Sequence, residues 1–303
     1  MQIDDIPVLF IPFARMEYAR LTFDAIRGVQ PKKLYFYCDR AREEESMKAE
    51  GNKMVRSLVD EIDWDCKLKI WFRNENMGAY VSMMDAIDWI FENEEEAIIL
   101  EEDCVPSTAF FDYCRQLLPR YKSECHIWFL SGNNFIEKYN PSGYDYIFSS
   151  VIYQWGWATW KDRWQKVIRT GFKVLDLIDY KLHLQYYATR NIARYTENQL
   201  IRKQNEQGFW LPDSWDYMFQ MSMRMHGGIG IIPIKNLVSN VGIKGTNSIV
   251  TDKRIHNLPT EEGDCYKIER HPPFLVSDIR YTRRFFNSVI QKRIPFWKRL
   301  IRK

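Results

Sequence analysis

The first hundred residues switch back and forth between two hydrophobic periods, and that alternation leaves few folds open. Apolar or β-branched runs at 7–12, 33–38, 67–72 and 97–100 read as strands, and the segments between them at 18–28, 42–63 and 78–93 carry helical patterning. Strand, helix and strand in succession form a crossover unit, which builds a parallel sheet with helices on its faces. The expected class is therefore α/β, with a mostly parallel central sheet flanked by helices. At 303 residues and 46% hydrophobic side chains, the chain can bury one large core or two smaller ones.

The fourth strand carries the strongest chemical signal. Ala97-Ile98-Ile99-Leu100 runs directly into Glu101-Glu102-Asp103, then Cys104-Val105-Pro106 and a helix expected over 107–118. Ligands of open α/β sheets bind beyond the carboxyl ends of the strands, which is where these acids fall. Three crowded carboxylates repel one another unless a cation sits among them, and Mg²⁺ or Mn²⁺ prefers oxygen ligands. A diphosphate is the anionic partner such a cation would share.

Other strand ends add candidates: Arg15 after the first strand, Asp39 after the second, and 74–78 after the third. Gly78, just ahead of a helix, either lets a ligand approach the backbone or only makes a turn. A strand at 126–130 ends in the polar turn 131–134. Four tryptophans then fall within ten residues, and Trp157, Trp160 and Trp164 stand at i, i+3 and i+7, which predicts one helical core-facing stripe. Trp155 lies outside that set and is the candidate for stacking on a sugar. Residues 165–208 read as a helical insertion without strands. A helix at 217–225, which Asp213 or Ser214 can cap, a short strand at 229–233 and a polar loop over 236–245 follow.

Charge is distributed unevenly. The segment 280–303 holds nine Lys/Arg and no acid, while residues 1–279 carry 34 basic against 40 acidic side chains, a net −6. That terminal segment mixes basic with apolar residues, as a stretch lying on an anionic membrane does, or as a terminal helix docked on the body with its charges outward. An acidic body with basic residues gathered at one end argues against nucleic acid. The six cysteines show no zinc spacing, so reduced thiols and a cytoplasmic location are expected, peripheral at the inner membrane face if the tail engages lipid. No signal sequence and no spanning apolar run is visible.

Over residues 6–245 the ordered pieces resemble a GT-A (Rossmann-like) glycosyltransferase, specifically bacterial relatives of the inverting N-acetylglucosaminyltransferase I type. The resemblance is carried by the strand and triplet of 98–103 with its Pro106 and Phe110-Phe111 helix, by Gln154-Trp155-Gly156-Trp157, and by Trp215-Asp216. It implies that Asp103 binds a Mn²⁺ or Mg²⁺ bridging the donor phosphates. Glu102, with Glu101 beside it, contacts ribose or sugar, Arg15 and Asp39 read uracil, and Asp216 is the general base, with Asp213 in reserve. The implied donor is a UDP-sugar such as UDP-GlcNAc, and the implied acceptor a glycan or lipid-linked glycan of a bacterial surface polysaccharide or glycolipid. Relatives carry a Thr-His pair after the last strand where this chain has Thr246-Asn247, and His256 reads as an isolated surface histidine.

The implied organisation is a glycosyltransferase domain over 1–275, with a nucleotide-binding half at 1–130, an acceptor half at 131–275 and the basic segment at 276–303. Two other readings stay open: a catalytically inactive binding module of the same fold, and a sugar nucleotidyltransferase. The latter normally has a Gly-rich loop after its first strand, and 11–15 contains no glycine.

Overall fold

The computed structural model describes residues 6–136, 139–140, 143–174, 176, 189–210, 214–242, 255–261, 263 and 266–290. Asp213, Thr246, Asn247 and the tail 291–303 lie outside them. The first half follows the predicted alternation: β1 (Val8–Ile11), α1 (Met16–Val29), β2 (Lys33–Cys38), α2 (Ser46–Arg56), β3 (Lys67–Phe72), α3 (Ala79–Asn93) and β4 (Glu96–Glu101). A turn at Glu102 and Asp103 leads into β5 (Cys104–Pro106) and α4 (Thr108–Tyr121). Then come β6 (Ile127–Ser131), β7 (Tyr146–Ser149), β8 (Trp157–Trp160), the single turn α5 (Lys161–Trp164), β9 (Phe172–Lys173) and α6 (Arg190–Lys203). The described chain ends with β10 (Phe209–Trp210), α7 (Trp215–Met225), β11 (Ile229–Pro233), β12 (Val238–Asn240) and α8 (Ile279–Phe285).

Eight strands form one sheet in the order β3-β2-β1-β4-β8-β6-β11-β7. β3, β2, β1 and β4 are mutually parallel, β8 runs against both β4 and β6, and β11 is parallel to β6 but antiparallel to β7. Six strands thus share one direction, which is the mostly parallel sheet the sequence implied. Apolar layers cover both faces, one built around Ile99, Phe129, Trp157 and Phe219, the other around Phe10, Leu100, Phe110 and Trp160. The direction of travel decides the site. Residues before β8, and the N-terminus of α7 ahead of β11, come to the same sheet edge as the carboxyl ends of β1, β2, β3 and β4.

Three local expectations are corrected. Trp157 and Trp160 lie on β8, not on a helix, and only Trp164 sits on a helical turn. Side chains three apart on a strand face opposite ways, so Trp157 joins one apolar layer and Trp160 the other. All three are core, each 1% exposed. The stretch expected to be a polar loop contains β12, which pairs with β5 through Asn240 and Cys104. The insertion is not purely helical: β9 and β10 pair antiparallel at its two ends. In the described part of the basic segment, α8 and the helical turn after it (Phe286–Ile290) follow the docked alternative, with Tyr281, Phe285 and Val289 buried against the body.

Candidate functional site

The turn after β4 splits the acid triplet into three different environments. Glu102 is buried, and its Oε2 accepts hydrogen bonds from the backbone N–H groups of Phe13, Ala14 and Arg15 at 2.9, 3.0 and 3.2 Å. Its other oxygen is bonded by Arg15 Nε. Consecutive N–H groups in a loop make a concave anion-binding nest, and here the protein fills it with its own carboxylate. The contact staples the β1–α1 loop to the end of β4, and Thr22 of α1 adds a 2.9 Å bond to the Glu102 carbonyl.

Asp103 points away from that nest. Arg15 Nη2 reaches its Oδ2 at 2.7 Å, and Asn240 Nδ2 reaches Oδ1 at 3.2 Å. Burial opposes the charge on Arg15, but the Glu102 and Asp103 carboxylates outweigh it and hold the guanidinium firmly protonated. β12 carries the chain across this carboxylate: Val241 N–H donates to the Asp103 carbonyl at 2.9 Å, and a Cβ on Gly242 would stand 2.0 Å from Oδ2. Any larger residue there would have to displace the Asp103 carboxylate.

Glu101, the last residue of β4, has its carboxyl pushed well above the usual carboxylate range. Desolvation is the main cause, and the neighbouring charges of Asp103 and then Asp216 add to it. Asp216 lies more than a hundred residues further along the chain, and Trp215 beside it packs on Trp157, the β8 partner of Ile99, which brings the start of its helix to the end of β4. It occupies the first turn of α7, where Ser214 Oγ bonds its Oδ1 and Gln154 Nε2 donates to its carbonyl at 2.9 Å. Trp215 stacks on Trp157 at 5.7 Å, which fixes the start of α7 against the sheet.

Asp39 directly follows β2 and is buried. Its carboxylate accepts from Met77 N–H at 3.1 Å and Arg40 N–H at 2.9 Å, tying in the loop that precedes α3. Desolvation raises its pKa, partly offset by those backbone donors and by Gly78. Gly78 caps α3 with φ +78° and ψ 157°, a conformation that other residues rarely adopt, and the space above its Cα is open. Trp155 sits across the rim, edge-on to Phe135 at 5.1 Å and tilted against the His256 ring at 4.8 Å.

His256 is not an isolated surface residue. It is 4% exposed, and its Nδ1 lies 2.9 Å from Asn240 Oδ1, so His256, Asn240 and Asp103 form one chain of contacts beside Trp155. Asn240 escaped notice in the sequence because nothing in a three-residue polar strand marks it. Among the described residues no group of three or more His, Cys, Asp or Glu side chains is arranged to hold a metal. Asp103 offers one carboxylate, whose Oδ2 accepts from Arg15 and Oδ1 from Asn240, so a cation there would have to displace Arg15 and draw its remaining ligands from phosphate and water.

No protein-family model matches the sequence, and no curated protein is similar to it. Among solved structures, the chain is similar in outline to UDP-glucose pyrophosphorylase complexed with UDP-glucose, at 7% identity over 78% of this chain and 93% of that one, TM-score 0.38. It is likewise similar to 4-diphosphocytidyl-2C-methyl-D-erythritol synthase from Anaerococcus prevotii, at 12% identity over 56% and 79%, TM-score 0.32. A third is the glycosyltransferase GlyE of Streptococcus pneumoniae, at 12% identity over 72% of this chain and 43% of that one, TM-score 0.30. At such low identity the likeness stops at the general α/β layout and does not reach individual residues.

Proposed function

We propose that this chain is a nucleotide-sugar-dependent, inverting glycosyltransferase that moves a hexosyl or N-acetylhexosaminyl group to a hydroxyl of a glycan or lipid-linked glycan in surface polysaccharide or glycolipid synthesis. The observation that supports it is geometric: Trp215 stacks on Trp157, which pairs with Ile99 just before the acid triplet, so the first turn that holds Asp216 starts beside the strand end that holds Asp103. In this reading the anomeric C–O bond to the donor's diphosphate breaks as the acceptor oxygen attacks from the opposite face, and Asp216 accepts the hydroxyl proton. A positioned base of this kind contributes about 10²–10⁴ in rate.

The remaining residues divide the binding. Arg15 and Asp39, with the open backbone at Gly78, line the edge for a nucleoside such as uridine, and Trp155 offers a ring face to the sugar. Glu102 orients Arg15 and its loop, with Glu101 beneath. A Mn²⁺ or Mg²⁺ held by Asp103 would stabilise the negative charge that gathers on the departing diphosphate. What favours this over sugar nucleotidyl transfer is the β1–α1 loop: its three N–H groups are already occupied by Glu102, and it has no glycine to open a phosphate cradle.

Titration of UDP-GlcNAc and other nucleotide-sugars in the presence of Mn²⁺, alongside turnover, tests the assignment. Asp216→Asn should keep donor affinity while turnover falls by about 10²–10⁴, and Asp103→Asn should weaken metal-dependent donor binding as well. Near-normal turnover in Asp216→Asn removes the base. Pyrophosphate release from a nucleoside triphosphate and a sugar phosphate would replace the whole reading with the nucleotidyltransferase one.

A further inference from the structure

Helix α8 spends its apolar face on the body. Tyr281 and Phe285 are each 3% exposed and pack on Tyr139, Phe135 and Tyr153 at ring distances of 5.5, 5.8 and 5.3 Å. An exposed apolar surface lies instead at the start of the helix and in the approach to it, where Phe274, Val276 and Ile279 are 74%, 68% and 53% exposed and Leu275 lies between them. Pro272 and Pro273 stiffen the approach to it, and a tight turn closed by Val276 N–H to the Phe274 carbonyl at 2.9 Å holds its tip. Four apolar side chains are thus presented to solvent in a fixed arrangement.

The charges around this tip are predominantly of one sign. Arg270 and Arg280 flank it with largely exposed side chains, and Arg283 and Arg284 follow on the outer face of α8. Of the acids beside it, Glu269 is exposed, Asp145 lies 3.8 Å from Arg270, and Asp278, 3.7 Å from Arg280, caps α8 by accepting from Arg280 N–H and Tyr281 N–H. The chain beyond α8 adds further Lys and Arg and no acid. An apolar tip ringed by arginines complements a bilayer surface whose headgroups are anionic and whose interior is hydrocarbon.

We infer that Phe274, Leu275, Val276 and Ile279 insert into the headgroup region of an anionic membrane, with the surrounding arginines on its phosphates. Two ring contacts, Phe285 to Phe135 and Phe135 to Trp155, connect α8 to the candidate sugar-stacking residue. The docking itself needs no nucleotide-sugar and stands if the proposed activity fails.

The test is co-sedimentation of the full-length protein with phosphatidylcholine vesicles, with and without phosphatidylserine. Wild type should bind the anionic vesicles and be released by high salt. The double change Phe274→Ser with Val276→Ser should weaken binding about tenfold or more, Phe274→Leu should preserve it, and Arg280→Gln should cost about fivefold. These side chains are exposed, so circular dichroism and melting should be unchanged. Wild-type binding by the double Ser variant overturns the proposal. So does a wild-type protein that ignores both vesicle types but dimerises through this face, which makes a second copy the occupant.

Discussion

Replacing Glu102 by Gln probes the contact on which the site geometry rests. The carboxylate is 6% exposed, accepts three backbone hydrogen bonds on one oxygen and meets Arg15 on the other. An amide keeps one acceptor oxygen but turns an NH₂ toward either the loop donors or the guanidinium. Breaking a buried, hydrogen-bonded charge pair from one side costs about 3–5 kcal/mol. Unfolding entropy of about 2.1 cal/mol/K per residue gives about 0.6 kcal/mol/K for the 303-residue chain, so the melting temperature should fall by about 5–8 °C at neutral pH. Glu102→Asp should fall comparably, because one methylene less leaves the carboxylate short of the loop. Asp65→Asn, which removes the fully exposed partner of Lys32, should leave the melt unchanged. Differential scanning calorimetry of the three variants decides it. A Glu102→Gln melt within a degree or so of wild type would mean that the loop holds its shape without the staple, and that the carboxylate is free to face a ligand.

Gly242→Ala places a methyl 2.0 Å from Asp103 Oδ2, so the carboxylate or the β12 crossing must give way by about 1.4 Å to reach ordinary contact. A misplacement of that size should cut turnover by about 10²-fold while the protein stays folded; unchanged donor affinity and rate would contradict the close approach. Glu101→Gln tests the raised carboxyl. A folded-state pKa above the unfolded one makes wild-type stability greatest below the unfolded value and lowers it as pH rises toward the folded value. The variant lacks that loss, so its melting temperature relative to wild type should climb as pH rises above the ordinary carboxylate range. A constant difference over that rise refutes it.

The sequence by itself carried most of the first half of the molecule. β2, β3 and β11 have the predicted bounds, and α1, α3, α4 and β4 differ only at their ends, because a buried strand and an amphipathic helix each impose a local period. The acid triplet was legible for the same reason: an apolar strand delivers it to a sheet edge. Patterns broke where a segment is only a few residues long or changes character midway. The tryptophan spacing mimicked a helix because β8 passes directly into the turn of α5, and β12 is too short to show alternation.

Only the tertiary structure decided what each acid does within the site. Adjacent letters in the sequence, Glu101, Glu102 and Asp103 end up as a desolvated carboxyl, a loop staple and a rim carboxylate, since the turn after β4 points them at different neighbours. Asp216, Trp155, Asn240 and His256 reach the rim because antiparallel β8, the return of α7 into β11 and the β5–β12 pair bring distant segments to one edge. Side-chain period is a property of neighbouring residues and can be read from their order. Which remote groups share a cavity depends on the direction and pairing of strands, and that is fixed only when the sheet closes its hydrogen bonds.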